Sequence, residues 1–113
     1  NIEVVIAPGP NEIEEAKKIN AITITNSKKA LSIMELAGLI KKSSFIIAND
    51  TGPTHIAAHL GKKGIVLFGY HTTARKVSIT TDKLKTLTVD NLNNLSAEKV
   101  YSEIKDELRI ISD

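Results

Sequence analysis

Short apolar runs alternate along the chain with stretches whose apolar residues recur at helical spacing. The runs begin at residues 2, 22, 45, 65 and 84 and are four to six residues long, as is typical of strands. The stretches that follow four of these runs, the last of them ending the chain, have the period of amphipathic helices. Five strands interleaved with four helices predict an α/β fold, a mostly parallel sheet with helices on both faces.

Several residues mark the ends of the predicted helices. Asn11 precedes an acidic stretch and is expected to cap a first helix that starts at Glu12. Ser32 with Glu35 three residues later has the spacing of a capping box, in which side chain and backbone bond reciprocally. Further signals are Pro53 as the first residue of its helix, Gly61 as a stop and Ser96 as a cap.

Two of the apolar runs contain no polar residue. Residues 45–48 and 65–68 are continuously apolar, which predicts strands that are covered on both faces. Residues 70–81 show no clear periodicity, and a last strand is expected near residues 84–89. No run approaches the length of about 18 apolar residues that a membrane-spanning helix needs.

The amino-acid composition limits the classes of protein to which the chain can belong and the partners that it can bind. The 113 residues allow one domain, predicted to span residues 1–113, and 42% apolar with 25% charged residues is ordinary for a globular chain. Cysteine is absent, which excludes disulfides, thiolate metal sites and cysteine nucleophiles. A net charge of +2 and 4% aromatic residues give no support for a nucleic-acid partner.

The most informative loop joins the run at residues 45–48 to the helix after it. Asp50 stands at a strand end, where ligands bind in parallel sheets, and Gly52 allows a close backbone approach, with a positive φ as one option. Pro53 starts a helix whose free amides, near His55, form an anion site. Asp50 would bind sugar hydroxyls, so the loop suits a nucleotide sugar. The alternative, of similar weight, is that Asp50 and Thr51 only cap the helix.

Other chemistry has weaker support. His55 and His59 have the spacing of a zinc-binding pair, but the chain lacks the neighbouring glutamate of a metalloprotease and any cysteine, so no metal site is predicted. The dinucleotide and P-loop glycine patterns are absent, as is the nucleophile elbow of serine hydrolases. No general base is evident other than Asp50, so no catalytic residue is assigned.

The run FIIANDTGPTHIAAHLGKKGIVLFG at residues 45–69 closely resembles the lipopolysaccharide heptosyltransferase family, glycosyltransferase family nine, in its C-terminal domain. Residues 31–40 resemble the helix before that motif, Gly9-Pro10 a Gly-Pro turn after an earlier strand, and residues 95–100 the closing helix. The resemblance therefore covers nearly the whole chain.

The resemblance implies a Rossmann-like domain, the C-terminal half of a GT-B glycosyltransferase that binds the nucleotide-sugar donor. The family transfers heptose from ADP-heptose to the lipopolysaccharide core with inversion and without an essential metal or other cofactor. Asp50 would hold the sugar hydroxyls, and neighbouring residues would line the diphosphate. The implied donor-binding positions are Asp50, Thr51, Gly52, Pro53, His55, Leu31 (adenine pocket), Glu12 (acidic donor-binding position) and Gly69.

The chain also departs from the family. It lacks the N-terminal domain with the general base and acceptor site, as well as the first strand and loop of the C-terminal domain. Residues 70–73 read Tyr-His-Thr-Thr in place of the usual Pro-Thr-Asp/Ser-Pro. The isolated chain is therefore expected to be inactive, in the cytoplasm or peripheral to the inner membrane, with the missing half as its partner. Alternatives are a degenerate Rossmann-like binding module and another GT-B relative such as a sugar-nucleotide epimerase.

Overall fold

The computed structural model describes residues 2–49, 52–69 and 83–112. Within these ranges the chain is an α/β protein whose strands pair only in parallel, which confirms the predicted fold class. The elements are β1 (Val5–Ile6), α1 (Ile13–Ala16), β2 (Ile22–Thr23), α2 (Ile33–Lys42), β3 (Ile46–Asn49), α3 (Gly52–His59), β4 (Gly64–Phe68), β5 (Leu84–Thr88), a 3₁₀ helix (Leu92–Asn94) and α4 (Ala97–Ser112).

The chain divides into two compact units, an N-terminal unit that ends at Leu39 and a C-terminal unit that begins at Ile40. In the N-terminal unit β1 and β2 form a parallel pair, with Val5 opposite Ile22. Each of these strands is only two residues long, shorter than the apolar runs predicted. Whether residues 1–113 act as one domain stays a prediction.

Helix α1 is a single turn. Its N-cap is Glu12, which makes no side-chain capping bond, so the prediction that Asn11 caps a helix starting at Glu12 is wrong. The reason is a preceding turn, in which the Glu12 amide donates to the Gly9 carbonyl over 3.1 Å and delays the helix by one residue.

The capping box at the start of α2 is confirmed. The Ser32 amide donates to Glu35 Oε1 over 2.8 Å, and the Glu35 amide donates to Ser32 Oγ over 3.1 Å. These bonds hold the pKa of Glu35 below its ordinary value, the Ser32 amide first and the Asn26 side chain next. The box fixes where α2 begins.

The C-terminal unit is built on a three-stranded parallel sheet in the order β3-β4-β5. Its central strand β4 is buried, with Ile65, Val66 and Phe68 each only 1% exposed. The continuous apolar run at residues 65–68 is therefore the strand that is covered on both faces, as predicted.

Strand β3 differs from the prediction. Its exposure alternates along the strand, and Ile47 is 55% exposed. The expectation that residues 45–48 form a strand covered on both faces is wrong, because β3 lies at the edge of the described sheet and only every second side chain points to the core.

Helix α3 ends at a glycine, as predicted. Gly61 has a φ of +67°, in the left-handed region that glycine adopts without strain. The amides of Gly61 and Lys62 donate to the carbonyls of Ala58 and Ala57 over 3.1 and 3.0 Å, which is the bonding pattern of a Schellman motif. The chain therefore reverses directly into β4.

Helix α4 packs through its predicted apolar stripe, and Ile104 is only 2% exposed. Lys85 on β5 forms an ion pair with Glu107 on α4, and their hydrogen bond lowers the pKa of Glu107 and raises that of Lys85. The helix is thereby attached to the sheet by apolar and charged contacts. Within the ranges that the structure describes, no helix is long and apolar enough to cross a membrane.

Candidate functional site

The loop between β3 and α3 is closed by a buried threonine. Thr54, in the first turn of α3, is fully buried, and its hydroxyl donates to the carbonyl of Asn49 over 2.5 Å. Asn49 is the last residue of β3, so this bond joins the end of the strand to the start of the helix. Asp50 and Thr51, both predicted donor-binding residues, lie between these two and outside the described residues.

The other side of the same helix turn faces outward. Gly52 and His55 are exposed, and Pro53 is half-buried. The buried Thr54 and the exposed His55 are neighbours in sequence, so one side chain holds the turn while the next is accessible. An exposed first turn offers its unpaired amides to an anion.

Gly52 is the first residue of α3, a position predicted for Pro53. The option of a positive φ at Gly52 stays a prediction, because this angle depends on Thr51, which lies outside the described residues. Among the described residues, no atom lies within 4 Å of a Cβ built at Gly52.

The electrostatics of the turn favour anions. The first turn of α3, as far as it is described, contains no acidic residue. The aligned peptide dipoles place partial positive charge at this end of the helix. Diphosphate oxygens fit that field.

Gly69 follows the last residue of β4 and packs tightly. A Cβ at Gly69 would lie 2.6 Å from Cγ of Leu92, closer than such atoms approach. Its absence of a side chain is therefore required for packing against the 3₁₀ helix, whatever its predicted role toward the donor. Residues 70–73, where the chain departs from the family, lie outside the described residues.

Leu31 and Glu12 belong to the N-terminal unit and line different clefts. Leu31 is half-buried in a cleft of about 380 Å³, whose other lining residues are Pro10, Ile13, Lys28, Lys29 and Ala30. Glu12 lies in a second cleft, of about 490 Å³, together with Gly9 and Glu15. The structure does not bring these two predicted donor-binding residues into one cleft.

The two histidines of α3 remain a pair without further ligands among the described residues. His55 and His59 are both exposed on this helix. Within the ranges that the structure describes, no group of three His, Asp or Glu residues could hold a metal ion.

Sequence reasoning missed two features of these sites. The first is the hydroxyl of Thr54, because a threonine early in a helix can bond backwards through this group. Ser27 and Lys28 form a left-handed turn with φ of 49° and 68° beside the Leu31 cleft. No glycine stands at these two positions, so no residue type there indicates the turn.

A parallel sheet whose strand runs into the exposed N-terminus of a helix is the arrangement by which α/β proteins bind phosphorylated ligands. Comparison with known proteins agrees with this class of phosphate-binding α/β proteins. The profile of glycosyltransferase family 9 (heptosyltransferase) matches residues 1–105, and the chain belongs to this family.

A curated relative supports the assignment. The chain is 32% identical over 108 residues to the lipopolysaccharide core heptosyltransferase OpsX of Haemophilus influenzae. The match covers 91% of this chain and 28% of that relative, so the chain spans less than a third of its length. A search of the solved structures found no significant match.

Proposed function

We propose that this chain is the donor-binding part of a two-domain GT-B glycosyltransferase, with residues 1–113 forming most of its C-terminal Rossmann-like domain. Membership of family 9 and the share of the relative that the chain covers support this reading. The remaining part of such an enzyme, as a covalent domain or a separate half chain, would be its partner.

The donor is proposed to bind at the β3–α3 loop. The observation that carries this proposal is the turn in which buried Thr54 joins Asn49 to α3 while Gly52 and His55 stay exposed. Asp50 would hold the sugar hydroxyls and the first turn of α3 the diphosphate. The full proposed set is Asp50, Thr51, Gly52, Pro53, His55 and Gly69, with Leu31 at the adenine pocket and Glu12 at an acidic donor-binding position.

The proposed reaction transfers a heptose from ADP-heptose to a lipopolysaccharide core, with inversion. An acceptor hydroxyl attacks the anomeric carbon, the bond from that carbon to the diphosphate breaks, and ADP leaves. Amides at the start of α3, with Thr51 and His55, would stabilise the charge that develops on the leaving diphosphate. The proton of the hydroxyl goes to a base in the partner domain, because Asp50 is engaged with the donor.

The proposal also covers the metal dependence of the enzyme and its location in the cell. Helix amides and His55 replace a metal as the partners of the diphosphate, so no metal or other cofactor is needed. The isolated chain is proposed to be inactive, because one domain cannot close a water-poor cleft on the donor. A cytoplasmic place, peripheral to the inner membrane, fits an enzyme that acts on lipopolysaccharide core.

The chain offers a matched pair of variants for a test. His55 and His59 are both exposed and lie one turn apart on α3, but only His55 belongs to the first turn. Calorimetric titration with ADP in EDTA should give saturable binding to the wild type. His55→Ala should weaken it about 5- to 20-fold, as expected for a charge-assisted hydrogen bond, and His59→Ala should leave it unchanged.

Equal ADP affinity in the two histidine variants would place the nucleotide elsewhere. Absence of ADP binding to the wild type would favour the degenerate binding module instead. Binding that is lost in EDTA and restored by Mg²⁺ would contradict the metal-free account of the diphosphate site.

A further inference from the structure

Lysines collect at the edge of the C-terminal sheet where its strands begin. Two of them end helix α2 before β3, two precede β4, one precedes β5 and one is the second residue of β5. This edge holds six of the chain's 15 basic residues, all within the C-terminal unit. We call the set the lysine edge: Lys41, Lys42, Lys62, Lys63, Lys83 and Lys85.

The parallel register brings these lysines together although they lie far apart in the sequence. The Ile46 amide at the start of β3 donates to the Lys63 carbonyl over 3.0 Å. The Gly64 amide at the start of β4 donates to the Lys83 carbonyl over 3.2 Å. Because neighbouring strands lie about 4.8 Å apart, these bonds place the lysines that precede β4 and β5 side by side.

Side chains keep the ammonium groups at the same edge. Lys62 Nζ donates to the Ser43 carbonyl over 3.1 Å, which ties the α3–β4 turn to the chain after α2. Nζ of Lys83 lies 3.9 Å from the position of a Cβ built at Gly61, so it also reaches this turn. Five of the six lysines are exposed, and Lys62 is half-buried. Their charges therefore face a common surface.

Acidic residues of α4 reach one end of the lysine edge. Glu107 forms an ion pair with Lys85, and its pKa is lowered first by that hydrogen bond and also by the charge of Lys63. Glu103 and Asp106 act on the charge of Lys85 as well. Six lysines against three carboxylates leave these described residues with a net positive charge. Clustered like charges repel one another, so an anionic partner would relieve a cost that the folded chain carries alone.

An exposed apolar side chain lies among the lysines. Leu60 is 39% exposed in the turn between α3 and β4, two residues before Lys62. A lipid surface accepts both components, because lysines bind anionic headgroups while an apolar side chain enters the boundary of the acyl chains. A nucleic acid has no such apolar layer, and 4% aromatic residues offer little for base stacking. The combination therefore favours a membrane.

We propose that the lysine edge, together with Leu60, binds the anionic headgroups of a lipid surface and attaches the C-terminal unit to a membrane. Parallel strands begin and end at opposite edges of their sheet, so this contact leaves the β3–α3 loop uncovered. The proposal names the surface behind the proposed peripheral location, and it rests on the proposed function only for the presence of a membrane.

Co-sedimentation with lipid vesicles tests the proposal on the full chain. The wild type should bind phosphatidylcholine vesicles that contain about 30% phosphatidylglycerol, and it should dissociate in about 0.5 M salt. It should bind pure phosphatidylcholine vesicles at least about tenfold more weakly, because these carry no net charge.

Two triple variants with the same net charge separate the position of the lysines from their number. Lys62 and Lys85 are kept in both, because the hydrogen bond of one and the ion pair of the other are structural. The edge variant should lower the partition coefficient on anionic vesicles about 10- to 100-fold, and the control should stay within about threefold of the wild type. The edge variant is Lys41→Gln, Lys42→Gln and Lys63→Gln, and the control, at exposed lysines outside the edge, is Lys17→Gln, Lys18→Gln and Lys99→Gln.

A single variant tests the apolar component. Leu60→Ala should lower the partition coefficient on anionic vesicles about 2- to 5-fold and leave the binding of inorganic polyphosphate unchanged. Thermal melting of each variant checks that the unit remains folded at the temperature of the assay. Vesicle binding of Leu60→Ala that equals that of the wild type would contradict the apolar contact.

Three further results would overturn the proposal: equal partition of the edge variant and the control, no binding of the wild type to anionic vesicles, or tighter binding to a DNA duplex than to vesicles of the same charge concentration. Vesicle binding is measured without a nucleotide, so its failure is distinct from that of the proposed function. A wild type that binds ADP but no vesicles overturns the membrane proposal alone.

Discussion

The C-terminal unit contains seven of the eight buried hydrophobic residues of the described chain, whereas the N-terminal unit contains one, Ala16. The N-terminal unit instead holds six of the ten large hydrophobic residues that are exposed, namely Ile2, Val4, Ile19, Ile22, Ile33 and Met34. Its order comes from local polar bonds, such as the capping box and the Asn26–Glu35 hydrogen bond.

This difference matters because apolar burial contributes far more to stability than exposed hydrogen bonds do. The C-terminal unit is therefore expected to hold the β3–α3 loop rigidly, and the N-terminal unit to open more easily. The three predictions that follow test this contrast in order of decreasing effect.

The largest expected effect is in the centre of the C-terminal sheet. Phe68 on β4 is 1% exposed, and Phe68→Ala should lower the free energy of unfolding by about 3–5 kcal/mol, through lost burial and a cavity. Ile22 on β2 is 52% exposed, so Ile22→Ala should cost less than about 1.5 kcal/mol. Urea unfolding of the two variants measures both changes in the free energy of unfolding. Similar costs would show that the two units are equally well packed.

A smaller effect is expected at the threonine that closes the loop. Thr54→Val keeps the volume but removes the hydroxyl that bonds to Asn49, and should cost about 1–2 kcal/mol of unfolding free energy. Thr54→Ser keeps the hydroxyl and loses a buried methyl, at about 1 kcal/mol.

The affinity for ADP should distinguish the two Thr54 variants more clearly than their stability does. If the bond positions the first turn of α3 for a diphosphate, Thr54→Val should lower ADP affinity about 3- to 10-fold and Thr54→Ser should preserve it. Calorimetry at a temperature where both variants are folded tests this. Equal losses in the two variants, in proportion to their stability, would reduce Thr54 to a packing residue.

The smallest effect is the pH dependence of the N-terminal unit. Hydrogen bonds hold the pKa of folded Glu35 below its ordinary value of 4.5, so its contribution to stability is complete above that value. The contribution is lost as pH falls through the lowered pKa. Glu35→Gln keeps a capping-box side chain but cannot titrate, and should flatten the acid loss of amide protection over residues 2–39.

Glu107 provides the comparison in the other unit. Its pKa is also lowered, chiefly by the hydrogen bond from Lys85, so the same direction of acid loss applies. Glu107→Gln should change the acid response of amide exchange in residues 40–112 and leave residues 2–39 unaffected. An acid response of both units that is altered by either variant would show that the units unfold together.

Sequence reasoning succeeded where a local bond pattern decides the structure. The Ser32–Glu35 box, the Gly61 stop and the buried β4 were all predictable, because each depends on residues close in sequence or on an uninterrupted apolar run. The final helix likewise begins after Ser96, whose Oγ accepts from the Lys99 amide over 3.1 Å.

One error arose where the order of the strands decides, and two other differences arose in local turns. Residues 45–48 are apolar, but strand order places β3 at an edge of the described sheet, which composition does not reveal. A turn from Gly9 overrode Asn11 as a helix cap, and the left-handed Ser27 and Lys28 contradict their own backbone preferences. In the candidate site, the sequence motif at residues 45–69 could be recognised as a whole. The role of the Thr54 hydroxyl could be seen only in the structure, because its partner is a backbone carbonyl.

The central claim is that Asp50, at the end of β3, binds the sugar of a nucleotide-sugar donor, beside a helix turn that binds its diphosphate. Calorimetric titration of the wild type and Asp50→Ala with ADP and with an ADP-sugar tests it directly. The variant should keep its ADP affinity within about threefold and lose about tenfold or more with the ADP-sugar, the value of a hydrogen bond to a charged group. Equal affinities of wild type and variant for both ligands would contradict the account and leave Asp50 as a cap of helix α3.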